Sequence, residues 1–396
     1  MAFSRRRLFL YGSAMTAFPA LPLRGEASEA SSHAGFFSDA EESVDDPVCV
    51  TDFAPLAKKK IPSMGWEFMS AAAGDELSLR WNTEAYQRLR LKPRLMVDVS
   101  HVDTRTTLLG HEHAFPILLA PVACHKLYHP EGELATVRGA SAAGAAMVLS
   151  TAANTSLEDV SKAAKTDLWF QLYAQRDEGF TRHLIARAEA SGYRALCLTI
   201  DTPISGARNR EMRAKVKFPP LPNLEGMKQS KGGDYMPSGL DIYSPMLNPT
   251  LTWKTIAWMR SFTKLPVLVK GVLNGEDASL AVEAGVSGII VSNHGGRNLD
   301  TVPATIDALP FVADKVAGRV PVLVDGGIRR GTDVLKAIAL GANAVLIGRP
   351  YVWGLGAQGE EGVAKVVNIL RREFAMSMAL TGRTTVASID RSVLWA

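Results

Sequence analysis

The chain has 396 residues, 47% of them hydrophobic and 21% charged, with a formal net charge of +4. This composition excludes a disordered, collagen-like or coiled-coil protein and fits one large globular domain with short additions. The basic residues are scattered, which argues against nucleic acid as a partner, and the small positive excess suits small anionic substrates. Cys49, Cys124 and Cys197 imply neither a disulfide framework nor a metal site; Cys197 sits in an apolar run where an inert, buried thiol is expected.

The N-terminus reads as a signal peptide over residues 1–27. Arg5-Arg6-Arg7 precedes Leu8-Phe9-Leu10, then an apolar stretch interrupted by Gly12, Ser13, Thr16 and Pro19, and Gly25-Glu26-Ala27 offers small residues for cleavage. Arg6-Arg7-Leu8-Phe9-Leu10 resembles the twin-arginine export motif, which implies a periplasmic protein that folds before crossing the membrane. No later segment approaches the ~20 apolar residues of a spanning helix, so no membrane anchor is expected. Residues 28–50, rich in Ser, Ala, Glu and Asp without periodicity, read as a flexible linker, and residues 51–396 as the functional domain. Thr51-Asp52 before Phe53, Leu56 and Ala57, followed by Ile61-Pro62 and Trp66-Glu67-Phe68, predicts two short helices at its start.

From Pro116, short apolar runs alternate with helical stretches: 117–120, 146–149, 168–172, 195–200, 267–269, 288–291, 322–324 and 344–347. Apolar runs of this length suit parallel strands covered on both faces, and eight of them predict a closed (β/α)8 TIM barrel of the α/β class. A long loop after strand four, about 202–265, holds Pro219-Pro220, Pro222, Gly232-Gly233 and Pro237 and is expected to include a mobile lid.

In such barrels chemistry collects at the C-terminal strand ends. Here those ends are Pro121, Ser150, Gln171 with Tyr173, Thr199 with Asp201, Lys270, Ser292-Asn293-His294, Asp325-Gly326-Gly327 and Gly348-Arg349, a convergence of donors, acceptors and charges that predicts a large polar ligand. The last two ends, with Arg329 and Arg330, predict a phosphate site after strands seven and eight. His294 and Arg297, three residues apart, pair a proton acceptor with a planar fork that matches a carboxylate. Asp201 is placed to orient the imidazole, Arg208 is a second carboxylate binder, and Lys270 offsets anionic charge on a cofactor.

These segments resemble the FMN-dependent 2-hydroxy-acid oxidases and dehydrogenases, from about Thr51 to about Ser392. The resemblance is carried by Ser292-Asn293-His294-Gly295-Gly296-Arg297-Asn298-Leu299-Asp300, His129-Pro130-Glu131-Gly132-Glu133, Gln171-Leu172-Tyr173, Leu198-Thr199-Ile200-Asp201-Thr202-Pro203, Leu268-Val269-Lys270-Gly271 and Asp325-Gly326-Gly327-Ile328-Arg329-Arg330-Gly331. It implies FMN as cofactor, His294 as base held by Asp201, Arg208 and Arg297 on the substrate carboxylate, and Tyr173 near the reacting hydroxyl. It implies that the flavin lies against Pro121, Val122 and Ala123, with Ser150, Gln171 and Thr199 at its ring, Lys270 beside N1 and O2, and Ser292 also binding the cofactor. Asp325, Gly326, Gly327, Arg329, Gly348 and Arg349 are implied to hold ribityl and phosphate. It further implies a small L-2-hydroxy-acid substrate such as lactate or glycolate, oxygen or a periplasmic cytochrome or quinone-linked carrier as electron acceptor, and a homotetramer.

Two positions depart from that family. Phe68 stands where the family commonly has a tyrosine reaching the substrate carboxylate, and the loss of a charge-assisted hydrogen bond costs ~1.5–3 kcal/mol. Ala152 stands where glycolate oxidase has a tryptophan, which widens the pocket. Together they give an alternative expectation, a bulkier or non-standard substrate on the same fold. Glu211, where an aspartate is usual, is given no role. Isomerisation of an isoprenoid diphosphate is disfavoured by His294, Arg297 and Arg208, and flavin binding without turnover has only Phe68 in its support.

Overall fold

The computed structural model describes residues 46–227, 242–244 and 247–395. The signal-peptide reading falls outside these residues, as do most of the linker and part of the lid. Of the linker, 46–50 is described, and Val50 is already 1% exposed within the core.

Eight parallel strands close a barrel: β1 (Ile117–Leu119), β2 (Met147–Ser150), β3 (Leu168–Leu172), β4 (Ala195–Thr199), β5 (Val267–Val272), β6 (Gly288–Val291), β7 (Val322–Asp325) and β8 (Ala344–Ile347), with β8 pairing back onto β1. Seven of the eight strands lie within a residue or two of their predicted runs, and β5 continues three residues past its predicted end at 269, because a strand apolar on both sides has one place to go, between a packed interior and a helix layer. Alternation along the strands divides the core accordingly. Leu118, Val148, Trp169, Cys197, Leu268, Ile290, Leu323 and Leu346 fill the interior, joined by Leu108 from an antiparallel hairpin of Thr106–Leu108 with His111–His113. Their neighbours, such as Leu119, Phe170 and Leu198, face the helices. Each fully buried Leu, Ile or Phe contributes roughly 1.5–3 kcal/mol.

The crossover helices begin where short polar side chains cap them: Ser156 accepts from Asp159 N, Asp177 from Phe180 N and Asn274 from Asp277 N. Register then sets the polar strand ends side by side. Ser150 lies opposite Gln171, Thr199 opposite Lys270 and Asp325 opposite Leu346. Gly271 makes a bulge possible at the end of β5; its φ is +119°, and a Cβ there would meet Asp201 Cβ at 2.4 Å, so Lys270 and Asp201 share one rim only because the side chain is missing.

Three helices, where two were predicted, precede the barrel: α1 (Phe53–Lys60), α2 (Ser63–Ser70) and α3 (Leu77–Arg88). The third starts on Asp300, whose carboxylate accepts from the N–H groups of Asp75, Leu77 and Ser78 at 3.0, 3.3 and 2.8 Å. An acid at a helix N-terminus meets orphan donors and the positive end of the dipole. The same contact ties α3 to the loop after β6. Among the described residues no helix is long and apolar enough to cross a membrane.

Candidate active site

The C-terminal rim of the barrel, α2, α3 and the segment after β4 enclose a cavity of about 1580 Å3 including its open mouth. It is lined by Phe68, Pro121, Val122, Ala123, Ser150, Gln171, Tyr173, Thr199, Arg208, Lys270, His294, Arg297, Asp325, Gly326, Gly327, Arg329, Gly348 and Arg349. Asp201 and Ser292 stand one layer behind.

His294 sits at φ +58°, followed by Gly295 and Gly296 at +66° and +77°, a left-handed turn that swings the imidazole over the barrel mouth. Its Nδ1 lies 3.0 Å from Asp201 Oδ1 and its Nε2 3.3 Å from the Tyr173 hydroxyl. A carboxylate only accepts, so Nδ1 carries the proton and the Nε2 lone pair faces the cavity. Burial lowers the imidazole pKa below its usual value and outweighs the opposing pull of Asp201, so the neutral, proton-accepting form prevails at neutral pH. Burial would raise the Asp201 carboxyl, but His294, Lys270 and Thr202 outweigh it and hold it below the usual carboxylate range. Thr202 donates to Asp201 Oδ1 at 2.8 Å, and Asn298 Nδ2 donates to the Asp201 carbonyl at 3.0 Å. Burial pushes the Tyr173 phenol up to about 12, with the Asp201 charge adding to it.

Lys270 is 4% exposed and pairs with Asp325 at 3.0 Å. Burial works against its charge, yet Asp325 and Asp201 raise its pKa above the usual lysine value, so it is a permanent cation. It donates to Ser292 Oγ at 2.8 Å, and the same oxygen accepts from His294 N at 3.0 Å. Ser292, fully buried, therefore links the lysine to the histidine loop instead of facing the cavity. Along the adjoining strand ends a ladder runs from Ser150 Oγ to Gln171 Oε1 at 3.1 Å and from Gln171 Nε2 to Thr199 Oγ1 at 2.9 Å.

At the ends of β7 and β8, Gly326 and Gly327 have φ of +91° and +83°. A Cβ on Gly327 would meet the Asn82 carbonyl at 1.9 Å, so backbone lies there where a side chain cannot. Arg329 stacks over Trp353 at 4.8 Å, and burial depresses its pKa to about 10. Arg349 is depressed to about 9 by burial and by the neighbouring Arg297 and Arg329. The Arg349 guanidinium donates to the carbonyls of Met69, Gly295 and Ala71 at 3.1, 3.0 and 3.1 Å, so much of its fork holds α2 and the histidine loop. What this end offers an anion directly is the N-terminus of the helix that begins at Arg349 and is interrupted at Gln358 and Gly359, with the cationic field of the two arginines.

Phe68 is 7% exposed, edge-on to Phe218 at 5.2 Å and under the Arg297 guanidinium at 5.1 Å. Glu211, given no role from sequence, is buried between Arg208 and Arg297 and bonded to both. Tyr128 also lines the cavity and donates to the Ala123 carbonyl at 3.2 Å.

Asn82 on α3 went unread as well. It exchanges two 2.9 Å bonds with Asn293, accepts from Thr305 N at 3.2 Å, and thereby clamps the residue before His294. Asn82→Ala strands those groups in a buried site and is expected to lower the unfolding free energy by about 1–3 kcal/mol. A lower urea midpoint at unchanged slope checks this, and an unchanged midpoint refutes the clamp.

A closed parallel barrel with a base, a buried lysine–aspartate pair, clustered guanidinium groups and a phosphate-type end defines a cofactor-dependent barrel oxidoreductase. The chain belongs to the FMN-dependent dehydrogenase family, which it matches over residues 57–396. It is 48% identical over 348 residues to a peroxisomal (S)-2-hydroxy-acid oxidase of Oryza sativa subsp. japonica, covering 87% of this chain and 95% of that one. It is 45% identical over 360 residues to an L-lactate oxidase of a Nostoc species, covering 89% and 99%. Among solved structures, mandelate oxidase with (S)-2-phenylpropionate superposes with a TM-score of 0.79 at 38% identity, over 87% of this chain and 98% of that one. The flavin-binding domain of baker's yeast flavocytochrome b2 gives 0.80 at 36% identity, over 89% and 87%. The protein is an oxidoreductase acting on CH–OH groups, and its cofactor is FMN. The residues fit that cofactor: Asp325 Oδ1 is a buried acceptor with no protein partner, which suits a ribityl hydroxyl, and the hydroxyl–amide ladder suits a polar ring edge.

Proposed function

We propose that the protein oxidises an L-2-hydroxy acid with a large apolar side chain to the 2-oxo acid, with His294 as base. The observation that carries this is the imidazole held between Asp201 and Tyr173 in the cavity that also contains Arg208 and Arg297. Oxidation removes two electrons and two protons from the substrate. His294 Nε2 takes one proton, and Asp201 stabilises the imidazolium that results. Tyr173 donates toward the reacting oxygen, and the arginines draw in the carboxylate. The chemistry that FMN would supply when bound is uptake of the two electrons together with the second proton, and their release to the acceptor. Lys270 would supply the counter-ion for anionic charge on the reduced ring; Ser150, Gln171 and Thr199 would hold the ring, with Pro121, Val122 and Ala123 against its face. Asp325, Gly326, Gly327, Arg329, Gly348 and the Arg349 main chain would hold ribityl and phosphate.

Phe68, Ala152, Phe218, Leu221 and Leu247 line the same cavity and supply an apolar wall, which favours a bulky side chain over glycolate. The oxidase relatives support oxygen as acceptor; export would bring a periplasmic cytochrome or quinone-linked carrier within reach. A homo-oligomer is proposed from the family resemblance. The decisive experiment is the visible spectrum of the purified protein before and after anaerobic addition of L-2-hydroxy acids from glycolate and lactate to mandelate and longer chains. Bleaching of the flavin band, fastest with a bulky acid, is expected. A flavin that no acid reduces would refute the reaction.

Arg6-Arg7-Leu8-Phe9-Leu10 supports twin-arginine export into the periplasm. Arg6→Lys with Arg7→Lys is expected to strand the protein in the cytoplasm on cell fractionation, and undiminished periplasmic accumulation would overturn this route.

A further inference from the structure

The two arginines assigned to the substrate already share a carboxylate. Arg208 Nη1 donates to Glu211 Oε2 at 2.8 Å, and Arg297 Nη2 reaches the same oxygen at 3.1 Å. Glu211 is 3% exposed, on the short helix Asn209–Ala214. Arg297 is pinned from its other side, Nη1 donating to the carbonyls of Phe68 and Ala71 at 2.7 and 2.8 Å. Two buried atoms of this cluster have no protein partner: Arg208 Nε, a donor, and Glu211 Oε1, an acceptor. All three residues line the cavity.

Two cations and one anion leave a single positive charge, which one further carboxylate neutralises. That carboxylate finds a free donor at Arg208 Nε, and it also finds a fixed negative charge a few ångströms away, in surroundings that screen charge poorly. We propose that Glu211 is a positioning residue that sets affinity: an internal carboxylate that aligns both arginines and weakens their hold on the carboxylate of substrate and product alike. Binding that is equal in the ground and transition states adds nothing to the chemical step, and a tightly held 2-oxo acid delays the next turnover. Glu211 offsets that surplus. This rests on the 2-hydroxy-acid reading above.

The test titrates the flavin-loaded protein with phenylglyoxylate, a 2-oxo monoacid that the enzyme cannot oxidise further, followed by the shift of the visible flavin band. Glu211→Gln keeps the shape and removes the charge, and it is expected to bind phenylglyoxylate at least tenfold more tightly than the parent. A purely structural role predicts the opposite sign, since misaligned arginines bind carboxylate less well. Glu211→Asp and Glu211→Asn form a second isosteric pair, and the neutral member is again expected to bind at least tenfold more tightly, so the comparison survives if one variant does not fold. Equal or weaker binding by the neutral member of each folded pair overturns the proposal. The parent protein mixed anaerobically with the hydroxy-acid panel tests the underlying reading separately. If the parent is bleached and no pair shows tightening, the role of Glu211 alone falls; if no acid bleaches it, the functional reading falls and the proposal with it.

Discussion

His294→Gln should leave the protein yellow and slow flavin reduction by the best hydroxy acid by about 10²–10⁴-fold, the range typical of a general base. Glutamine matches the imidazole in reach, and its amide can donate to Asp201 Oδ1 as Nδ1 does now at 3.0 Å. It cannot take a proton at neutral pH. The groups assigned to flavin, among them the Lys270–Asp325 pair and the Ser150–Gln171–Thr199 ladder, do not depend on the His294 side chain, so flavin content should equal that of the parent. Stopped-flow anaerobic reduction with flavin quantified in the same sample checks both halves. A variant reduced at the parental rate would remove His294 from its role, and one that loses its flavin would show that the imidazole is structural.

Ala152→Trp carries the second large effect, on selectivity. Ala152 lines the cavity at the end of β2, 6% exposed, with its N–H donating to Ser150 Oγ at 3.2 Å and its carbonyl accepting from Cys124 N at 3.0 Å. Its backbone is thereby fixed and an added indole must project into the cavity. A single methylene in an apolar pocket changes discrimination by about 10–200-fold, and an indole displaces several. The ratio of kcat/KM for a bulky acid such as mandelate to that for glycolate should therefore fall by about 100-fold or more. Steady-state assays on the two acids give the answer directly. A ratio that does not move would mean that the substrate side chain lies elsewhere, and would leave Phe68 as the determinant of substrate size.

How much of this was legible beforehand differs from element to element. The barrel strands were, because runs such as Leu168–Leu172 and Val322–Asp325 are apolar throughout and only a sheet covered on both faces accommodates that. The polar residue that ends each run then followed from the fold, which is why His294, Lys270, Asp325 and Tyr173 were named and stand around one cavity. The third N-terminal helix was missed because its start signal is not local: Glu76, at φ 61°, lacks a capping side chain, and the carboxylate that serves it comes from Asp300.

The sequence alone thus determined the architecture and the cofactor class and nominated the candidate reactive groups, since each is written in local periodicity or in a contiguous motif. Which of those groups are already engaged was decided only by the tertiary structure. Asn82 meets Asn293 across 211 positions, Arg297 meets Glu211 across 86, and Arg349 donates to the carbonyls of Met69, Ala71 and Gly295. Hydrogen bonds between side chains distant along the chain depend on barrel closure and on how the N-terminal helices dock against it, and no local pattern encodes that distance. The charge balance of the proposed substrate site, two arginines and one glutamate rather than two free arginines, is a property of the folded chain.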